Sequence, residues 1–382
     1  MPWLETEPMS ERLKFIEESL SGLYTTLELC ERFGVSRKTG YKWRARYREL
    51  GTSGLHDRSH APKSCPHKIR ARVAAAIVAA REKHPHWGPR KLLDWLRPRR
   101  PELELPAAST AGVLLRREGL IHSKRRRRRW RHPGPPSHAR FAPNDLWTAD
   151  FKGQFRTRDG EYCYPLTIAD QASRYLLRCQ ALTSVRTEET RPVMERLFRE
   201  LGLPRAIRTD NGVPFASTGI HGLCALNVWW IRLGIAHQRI QPSHPEQNGV
   251  HERMHRTLKA QTTRPPAANR RAQQRSFDRF RAEFNDERPH EALGGRAPGS
   301  VWSSPTRQYP RRIPEPEYPG HFQLRFVSNA GTFRFQCKQL FISAALKQDW
   351  IGLEEVDDGI WAIYFYDVLL ARFDERDRKL HA

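Results

Sequence analysis

The stretch Gln241-Pro242-Ser243-His244-Pro245-Glu246-Gln247-Asn248-Gly249-Val250-His251-Glu252-Arg253-Met254-His255-Arg256-Thr257-Leu258-Lys259 changes character at its middle. Its first half carries the Pro, Asn and Gly that break regular structure and its second half has none, so a loop is expected to feed a helix beginning near Asn248. On that helix Glu252, Arg256 and Lys259 follow one another at spacings of four and three, which sets one carboxylate and two cations on a single face. Taken alone, such a face is an ordinary solvated ion-pair stripe. Two upstream acids change its meaning. Trp147-Thr148-Ala149-Asp150-Phe151-Lys152-Gly153 and Ala206-Ile207-Arg208-Thr209-Asp210-Asn211-Gly212 each put an Asp at or near the end of a plausible strand, where α/β sheets present catalytic groups.

Asp150, Asp210-Asn211-Gly212, His244-Pro245-x-x-Asn248-Gly249-x-x-Glu252-Arg253 and Thr257-Leu258-Lys259, in that order, resemble the Asp-Asp-Glu catalytic core of insertion-sequence transposases and retroviral integrases. A later segment, Asn285-Asp286-Glu287-Arg288-Pro289-His290-Glu291-Ala292-Leu293, is similar to the one that closes the core in the bacterial insertion-sequence branch. The interval from Asp210 to Glu252 is longer than in the retroviral enzymes, but the Asn-Gly-x-x-Glu-Arg frame designates Glu252 and makes Glu246 a decoy. The resemblance implies a ribonuclease-H-like core that holds two Mg²⁺ or Mn²⁺ ions. Asp150 would bridge both ions, Asp210 would hold one and Glu252 the other. Asn211, Gly212, Asn248, Gly249, Arg288 and His290 would support that core, and Arg256 and Lys259 would run beside the scissile strand. It also implies the chemistry: hydrolysis at the element's end to expose a 3′-OH, attack of that hydroxyl on target DNA, and homo-oligomers assembled on the terminal inverted repeats.

Composition agrees with a polyanionic partner. The 382-residue chain carries Lys+Arg 66 against Asp+Glu 42, a formal net charge of +24, and its length suits two to four domains. No apolar run approaches the ~18 residues needed to span a bilayer, and the acidic start Met1-Pro2-Trp3-Leu4-Glu5 is no signal peptide. A cytoplasmic, nucleoid-associated bacterial protein is expected. The six cysteines are scattered without a Cys-x-x-Cys pair and read as reduced and structural.

Along the chain the reading is multidomain. Residues 8–50 carry a short helix closed by Gly34, then Val35 and a Ser36 able to cap the next helix. This is a helix-turn-helix pattern whose second helix, Ser36 to Tyr47, offers Arg37, Lys38, Lys42, Arg44 and Arg46 to DNA. A Gly-, Ser- and Pro-rich linker leads to a second helix-turn-helix-like domain at 66–122. The block Lys124 to Arg131, including Arg126 and Arg128, lies in a basic linker at 123–142 that suits a phosphate backbone. The catalytic core is expected over 143–297, in the order β-β-β-α-β-α, with Asp170 capping a turn rather than reacting. After a Pro- and Arg-rich connector, alternating apolar residues over 319–375 indicate a small C-terminal β-barrel. A DNA-binding regulator would leave the three acids unexplained, and a simple ribonuclease-H-like nuclease would leave the two helix-turn-helix modules unexplained.

Overall fold

The computed structural model describes residues 7–59, 69–121, 141–217, 219, 222–241, 249–376 and 379–381. Two compact units emerge, Met1–Lys68 and Ile69–Ala382. The cationic block with Arg126 and Arg128, and the turn with Glu246 and Asn248, lie outside the described residues.

The first unit is three helices, α1 (Pro8–Leu20), α2 (Thr26–Arg32) and α3 (Arg37–Leu50). Local chemistry sets their ends. Thr25 and Glu28 form a reciprocal capping box at the start of α2. Gly34, at φ 61°, closes α2 by donating to Glu31 O while Val35 N donates to Cys30 O, the paired bonds of a Schellman ending. Ser36 then accepts the Thr39 N–H at 3.3 Å and opens α3. The core is Phe15, Ile16, Leu29, Cys30, Trp43 and Leu55. A Cβ on Gly40 would stand 2.6 Å from Cys30 Sγ, so the close crossing of α3 over α2 depends on the missing side chain.

The second unit opens with α4 (Ala71–Lys83), α5 (Pro89–Arg99) and α6 (Ala108–Arg117), packed around Val73, Ile77, Trp87, Leu92 and Leu115. A sheet follows, built from β1 (Leu146–Phe151), β2 (Phe155–Arg156), β3 (Tyr162–Asp170), β4 (Leu176–Leu182), β5 (Ala206–Thr209) and β6 (Ala236–Arg239). β4, β3 and β1 pair antiparallel, β1, β5 and β6 pair parallel, and β2 lies beside the start of β3. β1 stops at Phe151, and Gly153, at φ 83°, turns the chain before β2. Four helices cover the sheet: α7 (Thr187–Leu201), α8 (Ala225–Arg232), α9 (Gly249–Thr262) and α10 (Arg270–Ala282), the last running into a π turn at Glu283–Glu287. Alternation along β1 sorts its side chains. Trp147 and Ala149 join Met194, Phe198, Trp229 and Trp230 under α7 and α8, while Thr148 and Asp150 turn to the side covered by α9. This is a ribonuclease-H-like architecture.

At the C-terminal end, β7 (Gln323–Phe326), β8 (Thr332–Phe335), β9 (Lys338–Phe341), β10 (Trp350–Asp357), β11 (Ile360–Phe365), β12 (Val368–Asp374) and β13 (Lys379–His381) do not form the expected closed barrel. Their hydrogen bonds make an open sheet, β13-β12-β11-β10-β7, and a separate hairpin, β8-β9. The apolar face that closure would hide is covered otherwise. Val327, Phe333, Ile351, Leu353, Ile363 and Phe365 share one core with Val228 and Ile231 of α8, and Arg232 reaches Asp349 at 2.6 Å. α8 therefore sends Trp229 and Trp230 into the catalytic sheet's core and Val228 and Ile231 into the C-terminal one, which explains its apolar character all round. The connector before β7 is also ordered: Trp302 stacks on Tyr175 at 4.3 Å and donates to Asn144 Oδ1.

Candidate catalytic site

The pairing of β1 with β5 sets Trp147 opposite Ile207 and Thr148 opposite Arg208. Asp150 lies two residues past the last of these pairs on β1 and Asp210 follows the end of β5 directly, so both stand at the carboxyl ends of adjacent parallel strands. The loop after β5 is braced on both sides. Gly212 N donates to Asp210 Oδ1 at 3.1 Å, and Asn211 Nδ2 donates to Ile240 O at 2.9 Å, tying the loop to the chain that leaves β6. A Cβ on Gly212 would press to 3.2 Å on the Asp210 carboxylate, so glycine keeps that carboxylate clear.

α9 lies across the polar side of β1. Its inward face is His251, Met254, His255, Leu258 and Thr262; Glu252, Arg256 and Lys259 are exposed. His251 Nδ1 and Nε2 meet the hydroxyls of Thr148 and Thr167 at 2.9 and 2.6 Å, and His255 Nε2 meets Thr167 at 2.7 Å. His255 Nδ1 stands 3.7 Å from Asp150 Oδ2. Burial holds both rings neutral, His251 pushed down to about 3 and His255 lower still. The helix carrying Glu252 is thereby pinned to the strand carrying Asp150. Neither Glu252 nor the two cations of its face forms an ion pair among the described residues.

Among the described residues the group whose ligand atoms come within 4.8 Å of one another is Asp150, His251 and His255, and not the three carboxylates. The ring nitrogens of His251 are both taken by threonine hydroxyls, so that group reads as a buried polar brace. Asp150, Asp210 and Glu252 offer hard oxygen donors, which suit Mg²⁺ or Mn²⁺ better than imidazole does. Sequence reading passed over this brace, although the apolar and His positions 251, 254, 255, 258 and 262 repeat at helical spacing. It also passed over Lys152, partly buried, whose ammonium pKa is lowered by desolvation and by Lys259 against the pull of Asp150.

The other expected residues fall as follows. Asp170 is buried and accepts from Asn144 N at 2.8 Å and Ser173 N at 2.7 Å, which caps the β3–β4 turn. Asn285 exchanges both amide bonds with the backbone of Leu176. Arg288 and His290 pack on Phe284. In α3, Arg37, Lys38 and Lys42 are exposed, whereas Arg44 is half-buried and bonded to Thr26.

Parts of the chain match known protein families. Residues 141–245 and 233–298 each match an integrase core domain family, residues 11–63 a helix-turn-helix domain and residues 39–115 a homeodomain-like domain. The fold and the family matches thus define an integrase-type polynucleotidyl transferase core preceded by helix-turn-helix domains. Similar in sequence are the uncharacterized 39.2 kDa protein of insertion element IS476 from Xanthomonas euvesicatoria, 26% identical over 72% of this chain and 71% of that one, and the uncharacterized 31.7 kDa protein of insertion element IS407 from Burkholderia multivorans, 27% identical over 41% of this chain and 54% of that one. The HTLV-2 integrase catalytic core domain is 16% identical with a TM-score of 0.33, over 42% of this chain and 98% of that one. The family matches and these relatives together support the likeness of the chain to insertion-sequence transposases with an integrase-like core.

Proposed function

We propose that this chain binds the ends of its mobile element, cleaves a phosphodiester there and joins the freed 3′-OH to target DNA, with Asp150, Asp210 and Glu252 as the catalytic acids. The observation that supports this reading is the position of Asp150 on β1 and of Asp210 just after β5, at the carboxyl ends of adjacent parallel strands, with the helix bearing Glu252 fastened to β1 through Thr148 and to β3 through Thr167. A divalent metal pair held by the three carboxylates would supply charge neutralisation at the scissile phosphate and lower the cost of deprotonating the attacking oxygen. The chain's own part is positioning. Asp150 and Asp210 are set by the sheet, the Gly212 N–H orients the Asp210 carboxylate, and the His251–Thr167–His255 chain keeps α9 from sliding. Arg256 and Lys259 line the exposed side of α9 one and two turns past Glu252 and would hold the strand's phosphates. Arg37, Lys38 and Lys42 on α3 would approach the element end. The domain bounds 8–50, 66–122, 123–142, 143–297 and 319–375 assign end recognition to the amino-terminal half and chemistry to the core, on a homo-oligomer assembled on DNA.

The test is strand joining on duplexes cut from the DNA flanking the gene. Asp150→Asn, Asp210→Asn and Glu252→Gln should each lower joining by a factor of at least ~10³, with DNA binding within a few-fold of the parent. Joining by Glu252→Gln at the parental rate would remove Glu252 from the set. Cleavage without joining by the parent would favour a ribonuclease-H-like nuclease instead.

A further inference from the structure

A second cluster of charge lies apart from the three carboxylates. Lys91 of α5 donates to Pro289 O, Arg288 and His290 after the π turn both pack on Phe284, and Arg174 of the β3–β4 turn and Arg253 of α9 add further cations. His290 itself is held neutral by desolvation and then by Lys91, Arg288 and Arg174. Three nitrogens within it, Arg174 Nη1, Arg288 Nη1 and His290 Nε2, are buried without a hydrogen-bond partner among the described residues, and Arg288 is only 9% exposed. The nearby acids, Asp94 and Glu291 beside Lys91, Glu283 beside Arg288 and Asp170 beside Arg174, divide their charge with other partners. Glu283 faces His84 at 3.4 Å, Glu291 pairs with Arg90 at 2.6 Å, and Asp94 pairs with Arg97 at 3.0 Å. Asp170 accepts from Asn144 N, Ser173 N and Ser173 Oγ. Lys91 donates to Pro289 O at 2.8 Å, and the rings of Trp87 and Phe284, each 6.0 Å from the Arg288 guanidinium, carry no charge.

Folded proteins rarely gather buried cations and orphan donors without an anion to answer them. We propose that this cluster is a phosphate-binding site that grips one backbone phosphodiester of the bound DNA. It rests on the DNA-joining reading above. Its exposed member, Arg253, directly follows Glu252, so the gripped phosphate would sit close to the one being cut. Lys91 comes from the helical module before the core and the other four from the core, so one phosphate would fasten both to the same strand. The arginines present planar donor pairs suited to phosphate oxygens.

The test uses the full chain, with inorganic phosphate as the probe against chloride at equal ionic strength. Phosphate should raise the melting temperature of the parent, and Arg288→Gln and Arg174→Gln should lose that rise. Saturation with a duplex from the DNA flanking the gene should also remove it, because one phosphate excludes the other. If Arg288→Gln folds poorly, Lys91→Gln, at a less buried position, carries the same expectation. In duplex titrations each variant should need roughly tenfold more DNA for half-saturation. An equal rise in parent and variants, or none in the parent, would overturn the site. A rise that persists under saturating duplex would make it a free-anion site and overturn its assignment to DNA. Joining is measured on the same preparations. Joining by the parent without a phosphate rise sinks this site alone, whereas a rise lost in the variants and displaced by duplex, with no joining by the parent, keeps the site and sinks the transposition reading.

Discussion

His251 and His255 are two residues for which position overrides intrinsic chemistry. An unperturbed imidazole takes a proton near pH 6.5, but His251 is held down to about 3, His290 to about 3 and His237 to about 4, all chiefly by burial. Between those values and about 6.5 the unfolded chain binds protons that the folded chain refuses, so stability rises with pH across that window and is lost as pH falls through it. Acidification from pH 7 to pH 5 should therefore lower the melting temperature; an unchanged value would mean that these rings already carry protons in the folded chain. Lys259 belongs to the same scale. After desolvation, it is the charge of Lys259 that lowers the ammonium pKa of Lys152, against the pull of Asp150. Replacing Lys259 by Glu should raise the DNA concentration for half-maximal joining and sharpen its salt sensitivity, while the metal requirement at saturating DNA stays parental. A titration that superimposes on the parent's would show Lys259 to be a bystander.

Among the elements, α3 is the one whose placement hangs on a single missing atom. Gly40 leaves room for Cys30 Sγ and for Phe15, whose ring would stand 3.1 Å from an added Cβ. Gly40→Ala gains helix propensity but must push α3 off α2, and overpacking of this kind costs about 1–3 kcal/mol. The substitution should lower the stability of the first unit and weaken DNA binding without affecting metal-dependent chemistry in the core. Hydrogen exchange of α1 to α3 reads this directly; unchanged protection there would show that the helices have slack. α9 behaves differently, since its two histidines, Met254 and Leu258 anchor it along its length.

For the whole molecule, the excess of 66 basic over 42 acidic residues makes binding to DNA a matter of counterion release. Lys42, exposed on α3, should act through a phosphate. Lys42→Gln should lower the slope of log affinity against log salt by about one and weaken all duplexes alike. A loss confined to element-end sequences would instead assign Lys42 to a base. The assembly of the larger unit rests on α8, which serves the cores on both of its sides. Ile231→Ala, at the C-terminal side, should cost about 2–4 kcal/mol and raise exchange in β10 to β12 before it is seen in β1.

Much of this was written in local sequence. Thr25, Gly34 and Ser36 carry the helix-turn-helix boundaries because capping depends on neighbours in the chain, and the strand at Ala206–Thr209 and the helix after Asn248 follow from turn residues and periodicity. Asp150, Asp210 and Glu252 were legible as candidates because residue type and order survive without coordinates. Long-range pairing is what the sequence by itself left open. β6, with only Ala236 to Arg239 and no apolar alternation, becomes a strand because β5 offers it an edge. The C-terminal strands stop short of a barrel because α8 covers the face that closure would have hidden. The neutral histidine brace and the cluster around Arg288 arise only when α5, the β3–β4 turn, α9 and the closing segment meet, since burial and the field of distant charges are properties of the packed chain and not of any stretch of it.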